Sequence, residues 1–208
     1  VYNANNTSSN DLFRFRLYGL TVSASYPFSH FERMEWGINF LNSNKDNISH
    51  PNNTYSSKFL MIPEVKFVYD DVLYGYSFGP VSGTRYYLGM KGTPKFGSSG
   101  LGFMSFKTDY RKYIFFNDFL SFAARFTGGL SIGPNPHLYY LGGTENWINP
   151  SFRNSELPFE NPEDYALSEF IMPLRGTMVN EIAGTKFFLT NFELRFPLFR
   201  ALLAGPVP

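Results

Sequence analysis

Apolar and polar residues alternate with a period of two along most of the chain. The longest example is residues 58–70, where the charged residues all share one parity. The other parity is apolar throughout: Phe59, Met61, Pro63, Val65, Phe67 and Tyr69. Successive side chains of a β-strand point to opposite faces, so this segment predicts a strand with one apolar face. A run of about 11 residues is what a tilted membrane strand requires, whereas strands of soluble proteins average about 5–6 residues.

Further segments repeat the alternation and give about seven predicted strands in all. The others cover residues 12–26, 33–40, 84–91, 104–111, 114–130 and 188–198. The first of them is ambiguous, because Arg14 and Arg16 share a parity with apolar Tyr18. Pro63 is interpreted as a local bulge, since proline donates no hydrogen bond to a neighbouring strand.

The predicted connections differ in length. Tight turns at 26–29 and 111–113 contrast with longer connections at 43–57, 70–82, 91–100 and 141–184. Short periplasmic turns and long extracellular loops are typical of outer-membrane barrels. The pattern therefore predicts that Pro27 and Lys112 face the periplasm, and that Asn47, Asn52 and residues 144–174 face the cell exterior.

Composition supports a sheet with two unlike faces. The 208 residues are 19% aromatic, yet mean hydropathy is −0.20, which fits residue-by-residue alternation of the two classes. A net charge of +1 shows no basic excess of the kind expected for a nucleic-acid partner. The uncharged run 126–144 is interrupted by glycine and proline, so no membrane helix is expected. A membrane location would then require a closed barrel.

Candidate catalytic chemistry is sparse. The chain has no cysteine, its three histidines lie in or beside predicted turns and loops, and no Gly-x-Ser-x-Gly motif occurs. We therefore expect neither an enzyme nor a metal or other cofactor.

The charged parity mixes both signs. Its members are Arg33, Glu35, Glu64, Lys66, Arg85, Lys107, Asp109, Arg125, Glu193 and Arg195. A selective pore would favour one sign at its constriction, so the mixture predicts pairing between strands and a lumen filled by an inserted loop. A solvated channel wall is the alternative. A soluble all-β sandwich also remains open, because alternation alone does not say which face is inside.

Two series of motifs resemble a known family. The first is SYPFSHFERMEWG at 25–37, followed by VYDD at 68–71 and GPVSGTR at 79–85. The second runs from LGGT at 141–144 through PLRGT at 173–177 to NFELRFPL at 191–198. In order and spacing these motifs resemble the Omp85 superfamily, the BamA/TamA-like surface-antigen barrels of the bacterial outer membrane.

The resemblance implies roles for particular residues. Gly142 and Gly143 would begin the sixth extracellular loop, which folds back into the lumen. Its tip would be formed by Leu174, Arg175 and Gly176. The arginine of such a tip pairs with acidic residues on late strands, which would lie past Pro208 here. Glu193, with Arg195 beside it, is the nearby substitute that this chain offers. The chain departs from the family pattern in placing residues 144–174 between the two motifs and Thr177 where an aromatic residue is usual.

The resemblance also implies a fold and a function. Residues 1–208 would be a partial outer-membrane barrel domain, an all-β, antiparallel transmembrane segment with about seven strands of a 16-stranded barrel. Its terminal strands and periplasmic domains would lie outside the chain. Such barrels assist insertion or translocation of proteins at the outer membrane of Gram-negative bacteria by β-augmentation. Expected partners are outer-membrane lipid, lipopolysaccharide, and nascent outer-membrane proteins or other envelope proteins. The alternative is a barrel anchor or channel subunit of another envelope complex, without insertase activity.

Overall fold

The computed structural model describes residues 13–48, 54–75, 79–95, 100–117, 120–144 and 162–196, and the fold is all-β. The strands are β1 (Phe13–Pro27), β2 (Glu32–Asn47), β3 (Thr54–Asp70), β4 (Leu73–Gly75), β5 (Gly79–Thr93), β6 (Phe103–Asn117), β7 (Leu120–Ile132), β8 (Tyr139–Leu141), β9 (Glu169–Ile171), β10 (Ile182–Gly184) and β11 (Lys186–Arg195). A six-residue helix, α1 (Pro162–Leu167), precedes β9. Asn52 and residues 145–161 of the predicted exterior segment lie outside the described residues.

Seven long strands form the main antiparallel sheet in the order β1-β2-β3-β5-β6-β7-β11, and β4 pairs with β5 beside this path. The all-β, antiparallel prediction is confirmed, and so is the number of long strands. Within the described residues the sheet is open, with β1 and β11 at its edges. The strand ends Pro27, Glu32, Asp70, Gly79, Asn117 and Leu120 lie at one end of the strands, the turn side, so the predicted connection 70–82 lies there too. The strand ends Asn47, Thr54, Thr93 and Phe103 lie at the opposite end, the loop side.

The predicted turn at 111–113 is wrong. β6 continues to Asn117, with Tyr113 opposite both Gly83 of β5 and Ala123 of β7. Two consecutive charges imitated a turn, but the side chains point to opposite faces. Arg111 binds Asp109, whereas Lys112 donates to Thr84. Lys112 is therefore a strand residue.

The predicted connection 43–57 is too long, and the predicted bulge at Pro63 is wrong. β2 continues to Asn47 and β3 begins at Thr54. Pro63 lies in regular register with Ile38, and the irregularity falls between Asn44 and Asp46. Pairing of β3 with β5 covers residues 64–70 and so begins immediately after Pro63, where the missing N–H costs no interstrand bond.

Arg14 and Arg16 resolve the ambiguity of the first strand. Both side chains bind the Asp46 carboxylate, at 3.2 and 2.6 Å. They lie on the same face as Leu20 and Val22, but nearer the loop side. The apolar residues of this face thus give way to a polar rim along β1 and β2.

Residues 137–144 and 162–184, which we call the inner segment, carry a second sheet in the order β10-β8-β9. One apolar cluster joins Leu167 of this segment to Leu60, Ile62 and Phe103 of the main sheet. A second cluster joins Tyr139, Leu141 and Ile171 to Leu189 of β11. The predicted connection 141–184 therefore contains a folded unit that packs on one face of the main sheet.

Candidate functional site

Most of the large exposed apolar side chains of the main sheet lie on one face, while a few apolar residues of the other face, such as Leu60 and Phe103, pack against the inner segment. A single cross-strand row from β2 to β11 contains Met34, Phe67, Leu88, Thr108, Gly128 and Phe188. We call the face that carries this row the outer face. Its exposed large side chains include Leu20, Val22, Trp36, Ile38, Phe59, Leu88, Met90, Phe106, Phe126, Phe188, Phe192 and Leu194, with 72% exposure at Phe188. Soluble monomers rarely expose contiguous apolar patches larger than a few hundred Å², so this face requires an apolar environment.

Aromatic rings form a row across the outer face. Ring centroids are 5.1 Å apart for Tyr69 and Tyr86, 6.4 Å for Tyr86 and Tyr110, and 6.4 Å for Tyr110 and Phe126. Phe192 continues the row at 5.6 Å from Phe126. Ile114, Phe116 and Leu194, which are also exposed on this face, lie farther toward the turn side, so the row runs within the apolar surface.

The exposed apolar residues of the outer face form a belt that crosses the sheet diagonally. On β2 the loop-side limit of the belt, its last apolar residue in that direction, is Phe40, and the next residue on that face is Asn42. On β11 the corresponding residue is Phe188, and the next residue on that face toward the loop side is Lys186. Phe188 lies in the row of Met34, so the limit has shifted by six residues over five strand steps. Averaged from β2 to β11, that is roughly 20 Å along the strands against roughly 24 Å across them, a mean slope of about 40°. The shift is uneven, because exposed Phe59 on β3 lies opposite Asn42, beyond the limit on β2. Strands of membrane barrels tilt by about 35–45°.

The opposite face, the inner face, is polar and partly covered. Glu169 of the inner segment lies between two lysines of the sheet and pairs with Lys91 and, at 2.7 Å, with Lys107. Burial would raise the pKa of the Glu169 carboxyl, but the two ammonium groups hold it at about 2. The carboxylate is therefore ionised at neutral pH and ties the inner segment to β5 and β6.

A second polar cluster surrounds Asp109, whose side chain is 4% exposed. Arg111 lies 2.7 Å and Arg125 2.6 Å from its two carboxylate oxygens. Arg125 also donates to the backbone oxygen of Met172, next to the predicted loop tip. The cluster therefore connects β6, β7 and the inner segment.

Tyr139 and His137 fill the loop-side part of the inner face. The Tyr139 hydroxyl lies 2.6 Å from Ser105 Oγ, and His137 donates its backbone N–H to Ser131 at 3.0 Å. The His137 ring packs edge-on against Phe103 and Tyr139, and neither ring nitrogen has a hydrogen-bond partner in the structure. Burial, with the charge of Lys91 as a further cause, lowers the pKa of His137 to about 4.

The two motifs of the predicted loop lie side by side in space. Leu174 donates its N–H to Gly143 O at 2.9 Å, and the Thr177 hydroxyl bonds to Leu174 O. Gly143 in turn donates to Thr177 Oγ1 at 3.2 Å. A side chain at Gly142 would overlap Met178 O, so the close approach requires glycine there. Residues 144–174 thus separate the motifs in sequence while the fold brings them together.

Arg175 reaches one of its predicted partners. Its guanidinium lies 3.3 Å from Glu193 Oε1, although 71% of the side chain is exposed. Arg195 binds the other oxygen of Glu193 at 2.7 Å and donates to Pro80 O. Gly176, at φ 83°, makes the turn that follows Arg175. The role of this group as a lumen-inserted loop tip stays a prediction.

The charged residues that were predicted to share one face of the sheet do lie together on the inner face. Their predicted ion pairing between neighbouring strands is confirmed. Lys66 lies 3.9 Å from Glu35 of the neighbouring strand, and Arg85 lies 3.3 Å from Asp70. Sequence reasoning missed Glu169 because it falls within the inserted residues 144–174. The available signal was a lone carboxylate that precedes apolar Phe170 and Ile171, a pattern that favours a partly buried acid.

Other site chemistry is limited in the part of the chain that the structure describes. No group of three or more His, Cys, Asp and Glu side chains there is arranged to hold a metal ion. Across the same residues, no helix combines the length and the hydrophobicity needed to cross a membrane.

The fold defines an all-β protein built on one large antiparallel sheet, and its faces are compatible with a β-barrel membrane protein. No family model matches the chain, and no curated protein matches it.

Proposed function

We propose that the chain forms part of the wall of a bacterial outer-membrane barrel of the Omp85 type, which assists insertion or translocation of proteins. The observation that carries the membrane assignment is the inverted distribution of polarity. The exposed outer face is apolar, whereas charged side chains lie on the inner face under a folded segment. The diagonal belt supports it further, because its slope agrees with the tilt of barrel strands.

The inner segment favours an insertion or translocation barrel over an open pore. Glu169, Tyr139 and Met172 bind sheet residues that would otherwise face a channel. An ion-conducting wall would instead leave its charged residues in water. The motifs around Gly143 and Arg175, which resemble those of the Omp85 superfamily, meet near the sheet.

The test is a folding assay with the complete protein. We expect the protein, reconstituted in phospholipid vesicles, to accelerate the folding of a urea-denatured outer-membrane barrel into the same vesicles. Arg175→Ala should reduce the acceleration. The matched control is Arg85→Ala, which removes an inner-face arginine that is 42% exposed, pairs with Asp70 and lies three strands away from β11. A wild-type protein that gives no acceleration would instead support the alternative, a barrel anchor without insertase activity.

A further inference from the structure

The outer face carries a concave apolar groove. Its walls are Met34, Phe67, Leu88, Met90, Phe106 and Leu130, and its volume is about 680 Å³. The floor is low because Thr108 and Gly128 are adjacent in the cross-strand row. A groove of this size falls in the range of small-molecule sites, about 300–1,000 Å³.

A cation lies just beyond the turn-side end of this groove. Lys112 follows Tyr110 on the outer face of β6, about 13 Å along the strand from Thr108. Its ammonium group donates to Thr84 Oγ1 at 2.8 Å. Among the described residues Lys112 forms no ion pair with a carboxylate.

Lys112 is partly exposed, so an anion can approach its ammonium group. Its neighbour on β7 is Ala124, whose small side chain is buried. The nearby Asp71 carboxylate is already bound by the Tyr69 hydroxyl at 3.1 Å and by the backbone N–H of Thr84. The Lys112 ammonium and the Thr84 hydroxyl can therefore both donate to one incoming phosphate oxygen or to adjacent ones.

We propose that the outer face binds one glycerophospholipid, with its phosphate on Lys112 and Thr84 and an acyl chain in the groove over Thr108 and Gly128. The inference rests on the proposed membrane location and adds a specific lipid to it. Tyr86 and Tyr110 lie between the two subsites, and aromatic rings are enriched where proteins meet lipid headgroups. Inside a bilayer the groove gains no hydrophobic transfer energy, because lipid tails surround the protein in any case. The groove instead contributes to affinity through its shape. An acyl chain that fits the groove makes dispersion contacts that would be absent if the groove were left empty.

The test counts phospholipid retained by the complete protein. The protein is extracted in mild detergent, exchanged into nanodiscs of dioleoylphosphatidylglycerol, returned to detergent and examined by native mass spectrometry. Lys112→Gln removes the charge, and Thr108→Phe fills the groove. Lys186→Gln is the control, because Lys186 is an exposed outer-face lysine at the loop side.

We expect Lys112→Gln to reduce retention of one lipid by roughly fivefold, the effect of about one basic residue near a lipid surface. Thr108→Phe should also reduce retention, because its ring fills the acyl-chain groove, while Lys186→Gln leaves retention unchanged. In the wild type, a phospholipid with a photoreactive acyl chain should crosslink to residues 104–110. The proposal is overturned if Lys112→Gln or Thr108→Phe retains as much lipid as the wild type. It is also overturned if the crosslinks are spread evenly over the outer face. A protein that stays in solution without detergent would overturn the membrane assignment itself, which separates the two failures.

Discussion

Arg175 and Arg195 share one carboxylate but differ in their surroundings. Arg175 is mostly exposed and has a single contact at 3.3 Å, whereas Arg195 is 28% exposed and contacts Glu193, Pro80 and the ring of Tyr113. A loop tip inserted in a lumen would confine the Arg175 pair, and loss of one partner of a confined pair costs several kcal/mol. In the observed geometry the Arg175 pair is an exposed one.

Arg175→Ala should therefore lower the free energy of unfolding by less than about 1 kcal/mol, and Arg195→Ala by about 1–3 kcal/mol. Urea titration of protein folded into vesicles measures both. A larger loss at Arg175 than at Arg195 would contradict this ranking. Reduced insertion activity in Arg175→Ala at unchanged stability, with partial recovery in Arg175→Lys, would identify a functional rather than a structural arginine.

His137 makes the packing of the inner segment sensitive to mild acid. The folded protein holds the ring neutral, with a pKa of about 4, whereas an unfolded chain would bind a proton near pH 6.5. The contribution of neutral His137 to the free energy of unfolding is fully present above pH 6.5. It is lost as the pH falls toward 4, and the loss is on the order of 2–3 kcal/mol.

Replacement of His137 by Phe should flatten the stability profile between pH 6.5 and 4, because the ring packing is kept without a titrating group. The loss from Glu169, whose pKa is about 2 in the folded protein, begins lower, near pH 4.5, and should persist in the variant. Unfolding titrations at several pH values measure both effects. An identical slope in wild type and variant above pH 5 would exclude His137 as the cause.

Among the secondary-structure elements, the long strands could be predicted from alternation because side-chain parity is a local property. Alternation could not show which of the two faces is exposed. The two consecutive charged residues at 111–112 were interpreted as a turn. The inner segment was beyond reach for another reason. Its contacts, such as Glu169 with Lys107 and Leu174 with Gly143, join residues about 30–60 positions apart with no periodic signal.

Glu169→Gln should loosen the inner segment from the sheet. The variant leaves Lys91 and Lys107 close together without their shared carboxylate. Each side chain is about a quarter exposed, so the expected cost is about 1–3 kcal/mol, below that of a fully buried pair. Faster amide hydrogen exchange at residues 139–144 and 169–174, with unchanged exchange in β2 and β3, is the expected signature. Unchanged exchange in the inner segment would show that the apolar clusters around Leu167 and Ile171 suffice.

The two faces of β1 offer a matched pair of adjacent positions. Val22 lies within the outer belt opposite Ile38, and Ser23 lies on the inner face opposite Gly37. Both are exposed, so neither substitution has to displace a packed neighbour. Val22→Arg should cost roughly 2–4 kcal/mol near the bilayer midplane, and Ser23→Arg much less. Equal costs in vesicle folding titrations would contradict the membrane assignment of the outer face.

At the scale of the whole molecule, the lengths of the connections at the two ends of the strands, the turn side and the loop side, predict the orientation of the sheet in the membrane. On the turn side the strand ends are separated by four residues between β1 and β2, two between β6 and β7, and eight between β3 and β5. On the loop side they are separated by six residues between β2 and β3, nine between β5 and β6, and the longer stretch that contains the inner segment between β7 and β11. Outer-membrane barrels place short turns in the periplasm and longer loops outside. Lys112 no longer serves as a marker, because it lies within β6. His30 and Ile48 serve as markers of the two sides instead, since both are exposed and lie at opposite ends of the strands.

This chain contains no cysteine, so His30→Cys and Ile48→Cys each add one reactive thiol to it. On intact cells a membrane-impermeant maleimide should label Ile48→Cys and leave His30→Cys unlabelled. Permeabilisation of the outer membrane should then expose His30→Cys, which controls for thiol reactivity. Labelling of His30→Cys alone on intact cells would reverse the orientation, and it would place the groove of Lys112 in the leaflet that carries lipopolysaccharide. Equal labelling of both before permeabilisation would mean that the sheet does not separate two compartments, and the barrel proposal would fail with it.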